Sequence, residues 1–271
     1  MDIAINELTI DDLEQTTKQL RASVSSIDSL HISFGLKRRT KKATISKDSL
    51  PSSSVYKKFL NALMYVVRSS SSLLSLTLSN IYLPAAAYLK LIELVAASPN
   101  LNFFSLSHMK IPQKQTFFSH VFNFPIKRCY VCLIDVGLND SDVQYLQTFL
   151  SCFSSKYDEF FWESSLRFGH HNLHAEPLTL NISANNFSEQ SLLEILNFIK
   201  TGVRSLIIQG IPLTNDLASE LIAVKLDQCP SLEIISDADI RDSLKFLLEN
   251  EITDELLEEV DKLLDFDIAI S

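Results

Sequence analysis

One apolar spacing recurs along this chain and constrains its fold more than any other feature. The spacing is L-x-x-L-x-L, followed five positions later by a further apolar residue, as in "LLSLTLSNIYL" (73–83) and "LNFFSLSHMKI" (101–111). The last apolar positions of three consecutive copies, Leu83, Ile111 and Leu138, are 28 and 27 residues apart. The same frame continues through 180–187 and 203–213, and a degraded copy ends at Ile240. A regular repeat of this length predicts stacked, equivalent structural units.

Each repeat begins with closely spaced apolar residues that predict a short, half-buried strand. The segments that follow show apolar residues at helical spacing, with Pro, Asp, Ser or Asn near their start as caps. These segments are "PAAAYLKLIELVAAS" (84–98), "DSDVQYLQTFLSCF" (140–153), "SEQSLLEILNFIK" (188–200) and "NDLASELIAVKL" (215–226). The predicted order is therefore strand, loop, helix, repeated, with parallel strands in one sheet. On successive strands of that sheet we expect buried equivalents at Leu76, Leu106, Leu133, Ile182 and Leu206.

Two intervals are longer than one repeat. From Leu138 to Phe187 there are 49 residues, which places an insertion within 154–172. An earlier copy, "IDSLHISF" (27–34), lies 46 residues before the 73–83 copy, which places a second insertion at 36–54. We expect the first insertion to be a long loop whose aromatic residues, Phe161 and Trp162 among them, either pack locally or contact a partner.

The repeat resembles that of leucine-rich-repeat proteins of the ribonuclease-inhibitor-like subclass. The phrases "SPNL" (98–101) and "CPSL" (229–232) are similar to a helix-to-strand junction common in that family. The resemblance implies an α/β leucine-rich-repeat solenoid, a curved parallel sheet with outer helices, over residues 27–240. Residues 1–26 would form an N-terminal helical cap and residues 241–271 acidic C-terminal capping helices, with docking of a partner as the alternative role of the C-terminal segment. The alternative is a generic α/β domain of strand–helix units.

The sequence departs from that family at the turn after each strand. The consensus asparagine, whose amide satisfies backbone groups there, is present only at Asn185. Ile81, Met109, Val136 and Ile211 occupy the other equivalent positions. We therefore expect irregular turns.

Charge and hydropathy limit the classes of partner. The formal net charge of -9 argues against nucleic acid and anionic membranes, because both are negatively charged. No window is apolar over the roughly 18 residues that a membrane span needs, and the acidic N-terminal residues do not resemble an export signal. These features predict a cytoplasmic protein, with cytoskeletal or ciliary association as one version. The basic run at 37–42 is expected to be an exposed loop, with an import signal, a polyanion patch or a phosphorylated switch as alternatives.

Motifs for catalysis or cofactors are absent from the sequence. The five glycines are too far apart for a phosphate-binding loop. Cys129 and Cys132, with the histidines at 170, 171 and 174, supply zinc-ligand types, but strand positions three apart point to opposite faces. We therefore expect no catalytic residue, no cofactor, no metal and no small-molecule substrate.

The repeat frame places one set of side chains on the strand face opposite the core, where a partner protein would bind. These candidates are His31, Ser33, Thr77, Ser79, Ser105, Ser107, Cys132, Ile134, Asn181, Ser183, Ile207 and Gln209. A hydroxyl-rich surface with almost no charge suits a shape-matched protein contact better than acid–base chemistry. The sequence favours a non-catalytic interaction scaffold or adaptor, including a subunit of a cytoskeletal or axonemal assembly. The alternative is a regulator of a small GTPase acting through loops at the strand ends, as some members of the resembled family do.

Overall fold

A computed structural model describes most of the chain. It covers residues 1–5, 9–35, 50, 52–98, 100–121, 130–168, 177–199, 202–212, 214 and 232–236, without the side chains of 120–121 and 158–168. The chain divides into two compact units, Met1–Gly137 and Leu138–Ser271. Both are α/β, and every strand pair described is parallel.

In the described residues of the first unit, five strands alternate with four helices. In chain order these are β1 (Asp2–Ile5), α1 (Ile10–Ala22), β2 (Ser29–Phe34), α2 (Ser53–Ser69), β3 (Ser75–Ser79), α3 (Ala85–Ala97), β4 (Phe103–Ser107), α4 (Lys114–Val121) and β5 (Tyr130–Ile134). The strands pair in the order β1-β2-β3-β4-β5, so each lies beside its predecessor in the chain. This is the arrangement that the repeat predicts.

The second unit contains α5 (Val143–Phe168), β6 (Leu178–Asn181), α6 (Glu189–Leu196), β7 (Val203–Ile207) and β8 (Glu233–Ile235). A single 3-10 turn, Asp140–Asp142, precedes α5. β7 pairs with β6 on one side and with β8 on the other, and the β6–β7 register is irregular between Leu178 and Thr179.

The apolar positions of the repeat align across the strands of the first unit. One aligned set is Leu30, Leu76, Phe104 and Val131, and the next is Ile32, Leu78, Leu106 and Leu133. All eight side chains are buried. Both sets match the alignment of repeats made from the sequence, which confirms it in this unit.

One expected equivalence was wrong. The frame led us to expect Leu76, Leu106, Leu133, Ile182 and Leu206 at one position of successive strands, but Leu76 pairs with Phe104 and Leu206 pairs with Leu180. Ile182 follows the last residue of β6. The expectation mixed the two apolar positions of the repeat, which lie two residues apart and face the same core. The five side chains are all buried, as expected.

The helices begin where the capping residues predict. Pro84 precedes α3, and Ser188 caps α6 by accepting a hydrogen bond from the backbone N–H of Ser191 at 3.3 Å. Thr9 caps α1 in the same way through Asp12 N–H. Each cap satisfies one of the amide groups that a helix start leaves without an internal partner.

We had expected residues 1–26 to form a helical cap, but this segment is not helical throughout. Residues 2–5 form β1, and the helix begins at Ile10. Ile3 and Ile5 are buried while Asp2 and Ala4 are exposed, so the apolar period here is two, which is the period of a strand.

The insertion expected as a loop at 154–172 continues a helix instead, at least as far as Phe168. α5 has 26 residues, which corresponds to about 39 Å at 1.5 Å per residue. Phe149, Phe153 and Tyr157 lie four residues apart along it, with ring centroids 6.4 and 6.3 Å apart. Side chains at this spacing share one helix face, so the sequence here has helical periodicity that a loop does not need.

Several expectations fall outside the described residues. Of the insertion at 36–54, only Leu50 and residues 52–54 are described, and α2 begins at Ser53. The basic run at 37–42 and the C-terminal segment 241–271 lie outside them. Within the described part of the chain, no helix combines the length and apolar character needed to cross a membrane. The cytoplasmic location stays a prediction.

Candidate functional site

The side chains opposite the apolar core form rows across the first unit, which we call the outer face. The middle row is Asp2, His31, Thr77, Ser105 and Cys132, and the row toward the strand ends is Ala4, Ser33, Ser79, Ser107 and Ile134. A third row, at the strand starts, is Ser29, Ser75, Phe103 and Tyr130. The first two rows hold the candidates predicted for this unit, in the predicted register.

Exposure changes along these rows. Asp2 and His31 are exposed and Thr77 is half-buried, whereas Ser105 and Cys132 are buried. The same trend holds between Ala4, which is exposed, and Ser107, which is buried. In these two rows the accessible part therefore lies mainly on β1, β2 and β3, together with Ile134 on β5.

The sequence frame missed the row at the strand starts. Phe103 and Tyr130 are paired residues of β4 and β5, and their ring centroids lie 5.8 Å apart. Tyr130 remains 38% exposed although it lies against Phe103. The alternation along β4 could have revealed this row, since Phe103 lies two residues before Ser105 and therefore on the same face. We had considered only positions from Ser105 onward, which lies between the core residues Phe104 and Leu106. A partly exposed aromatic pair is typical of a binding hot spot.

Cys132 is a buried thiol. Burial raises its pKa to about 11, because a thiolate there would lose its hydration. The neutral thiol is a poor nucleophile and a poor metal ligand at neutral pH. Cys132 is free of disulfide bonding.

In the second unit, the polar candidates bond to one another and to the backbone. The Asn181 side-chain oxygen accepts a hydrogen bond from Ser183 N–H at 3.0 Å, and the Ser183 hydroxyl oxygen accepts one from Gln209 N–H at 3.0 Å. Ile207 pairs with Asn181 and is half-buried. These contacts fix the turn after β6 against the turn after β7. Asn181 and Ser183 therefore order the backbone at this position in addition to lining the surface.

Asn185 has the role that its consensus position predicts. Its side chain is buried, and its amide nitrogen donates to the carbonyl oxygens of Ile182 at 2.8 Å and Ser183 at 3.2 Å. Its oxygen accepts a hydrogen bond from Leu138 N–H at 3.0 Å. Asn80, which the sequence pattern did not single out, has a similar role in the first unit. Its amide nitrogen donates to the Phe34 carbonyl oxygen at 2.9 Å. At Ile81, Met109 and Val136, the consensus position is filled by a buried apolar side chain.

The first residue after each of β3, β4 and β5 has left-handed backbone, and none of the three is a glycine. Asn80, His108 and Asp135 have φ of 53°, 53° and 49°. His108 Nδ1 lies 3.1 Å from an Asp135 carboxylate oxygen, and both side chains are partly exposed. This pair is the only ion pair between strand-end turns that the described residues show.

Other candidates were not brought together. The side chains of Phe161 and Trp162 lie outside the described set, although both residues are helical. Cys129 and the histidines at 170, 171 and 174 are also outside it. Among the side chains that are described, no three His, Cys, Asp or Glu residues cluster as metal ligands would.

Comparisons with family models and with curated proteins find no match. The function must therefore be argued from the residues themselves.

Proposed function

We propose that this protein is a non-catalytic protein–protein interaction scaffold or adaptor, built as a leucine-rich-repeat solenoid. Two observations support the repeat assignment. The apolar positions align strand by strand in the first unit, and Asn185 bonds backbone groups at the turn where the family consensus has asparagine. A subunit of a cytoskeletal or axonemal assembly is one form that this function would take.

The observation that carries the binding proposal is the make-up of the outer face. Thr77, Ser79 and Ser33 give it small, half-buried hydroxyl side chains, which let another protein approach the strands closely. Phe103 and Tyr130 add an aromatic pair at one end. Small polar groups around an aromatic anchor resemble the centre and surroundings of a protein interface.

The test is affinity purification with crosslinking from the native cell, using matched variants. Tyr130→Ala removes the exposed aromatic of the outer face, and Tyr65→Ala removes a tyrosine on α2 that is more exposed, at 53%. Thr77→Arg places a bulky charge on the outer face, and Thr148→Arg places the same side chain on an exposed position of α5. We expect the Tyr130 and Thr77 variants to lose a partner that the Tyr65 and Thr148 variants retain. Equal recovery of all partners by the four variants contradicts the proposal.

A regulator of a small GTPase is the second candidate, and the strand-end turns favour it. There the partly exposed His108 and Asp135 side chains pair, and Lys110 is exposed close by in sequence. Single-turnover GTP hydrolysis by candidate GTPases, with and without this protein, separates the two functions. A rise of about a thousandfold, lost on His108→Ala or Lys110→Ala, would replace the scaffold proposal.

A further inference from the structure

β1 has one side that bonds to β2 and one side that does not. The carbonyl oxygens of Met1 and Ile5 accept hydrogen bonds from His31 N–H at 2.9 Å and Gly35 N–H at 2.7 Å. Alternate residues of a strand direct their N–H and C=O groups to opposite sides, so Asp2 and Ala4 direct theirs away from β2. Among the described strands, none pairs with that side. It therefore presents four backbone hydrogen-bonding groups to whatever lies beside it.

A groove of about 520 Å³ runs along this free side. One wall is β1 from Asp2 to Ile5, and the other is formed by Asp12, Gln15, Thr16 and Gln19 of α1. The α1 residues have the i, i+3, i+4, i+7 spacing of one helix face, so the wall is continuous. The volume falls in the range typical of ligand-binding clefts. A strand added to β1 would have α1 beside it.

The charges of the groove are of one sign. Asp2 and Asp12 are its charged lining residues, and no lining residue is basic. α1 as a whole carries three acids, Asp11, Asp12 and Glu14, and two bases, Lys18 and Arg21, so its net charge is also negative. A second copy of this chain would bring its own Asp2 and Asp12 into the same groove, where like charges repel. The complementary occupant carries lysine or arginine.

We propose that the free side of β1 and the facing side of α1 bind an extended, basic segment of a partner protein by strand addition. Backbone bonds to Asp2 and Ala4 would supply affinity, and contacts of basic side chains with Asp2 and Asp12 would supply selectivity. This site shares Asp2 with the outer face, where an Asp2 carboxylate oxygen lies 3.6 Å from His31 Nδ1, but it also uses the backbone groups on the free side of β1.

The probe is a fluorescein-labelled decapeptide in which Lys or Arg alternates with Thr or Val, titrated against the full chain by fluorescence anisotropy. We expect saturable binding that weakens as salt is raised. The same peptide with Glu in place of Lys and Arg should bind at least tenfold more weakly. Two further peptides carry N-methyl groups on one or the other alternate set of amides. Because an added strand bonds through only one of its sides, one of these should lose at least tenfold in affinity and the other should not.

Two protein variants locate the binding. Ala4→Pro removes the N–H that points to the free side, a position where an outer strand tolerates proline. Gln15→Lys adds a positive charge to the groove wall without touching a cap. Each should weaken the basic peptide at least tenfold, whereas Gln144→Lys, at an exposed glutamine of α5, should not. Circular dichroism and a thermal melt establish whether each variant is folded. If Ala4→Pro does not fold, the binding measured with Gln15→Lys tests the proposal.

Three results would overturn the proposal. The first is no binding of the basic peptide at millimolar concentration. The second is equal binding by both N-methylated peptides and the unmethylated one, which would mean attraction by charge alone. The third is dimerisation of the chain that Ala4→Pro abolishes, since the occupant would then be a second copy. None of them bears on the outer face, so the scaffold proposal is tested separately by the Tyr130 and Thr77 variants.

Discussion

The side-chain oxygen of Asn185 accepts a hydrogen bond from the backbone N–H of Leu138, 47 residues earlier in the chain, at 3.0 Å. The same side chain donates to the carbonyls of Ile182 and Ser183. One buried amide thus satisfies backbone groups of two separate turns within the second unit. Such groups would be costly to bury without partners.

Asn185→Ala should therefore destabilise the protein by about 2–4 kcal/mol, because it leaves several buried backbone groups without a partner. The neighbouring Asn186 is exposed, and Asn186→Ala should change the free energy of unfolding by less than about 0.5 kcal/mol. Urea denaturation of both variants measures the difference. Similar losses for the two would mean that the Asn185 bonds contribute no net stability.

Gly202 lies against an aromatic ring. Its φ is +87°, and a methyl group there would stand 2.6 Å from Tyr157 Cγ on α5. Gly137 has a similar φ of +78°, but its nearest neighbour would be Lys110 Cγ at 4.0 Å. Gly137→Ala should cost about 1–2 kcal/mol from the left-handed backbone alone. Gly202→Ala should cost roughly 1–3 kcal/mol more, since the ring or the strand must move. A larger loss of thermal stability for Gly137→Ala than for Gly202→Ala would contradict this placement of α5 against the start of β7.

Leu106 and Ser107 are adjacent residues of β4 on opposite faces of the strand. Leu106 belongs to the aligned apolar core, so Leu106→Ala should lower the free energy of unfolding by about 2–5 kcal/mol through lost burial and a cavity. Ser107→Ala, on the outer face, should change it little. The measurement is the chemical denaturation midpoint at constant m-value. Equal midpoints would show that the two faces have been assigned wrongly.

Cys132 should react slowly with thiol reagents, and Cys152 faster, because Cys132 is buried with a raised pKa and Cys152 is half-buried. The test uses a Cys129→Ser, Cys229→Ser background, iodoacetamide at pH 8, and mass mapping of the labelled peptides. The folded state holds the Cys132 proton more tightly than the unfolded state. Its contribution to stability is therefore complete below about pH 8.5 and is lost as the pH rises toward about 11. Faster labelling of Cys132 than of Cys152 would contradict its burial.

The spacing of apolar residues was sufficient to predict the strands and their register where the repeat is regular. Leu78, Leu106 and Leu133 could be aligned in advance because each lies five residues before the last apolar position of its repeat. Parallel pairing of the strands preserves that alignment. The cap at Ser188 was also predictable, since it depends on a local backbone geometry that few residue types satisfy. The role of Asn185 was expected from the resemblance to the leucine-rich-repeat family.

Elements outside the repeat could not be predicted in this way. β1 is a strand of 4 residues outside the repeat, and its period of two rests on only two isoleucines, which is too short a pattern to separate it from the helix that follows. The continuation of α5 was missed because extra length between two repeats does not specify whether it is loop or helix. The groove beside β1 depends on which backbone groups lack a neighbour, which no residue pattern encodes.

The order of the strands in the first unit has a mechanical consequence. Each strand is hydrogen-bonded to the ones before and after it in the chain, and parallel ladders join them throughout. Tension applied at Met1 would therefore load the β1–β2 ladder first and peel the unit one strand–helix pair at a time, leaving the pairs behind it folded. A unit that unfolds in steps absorbs mechanical work at each step. A fold whose terminal strands pair with each other instead resists the force until it unfolds as a whole.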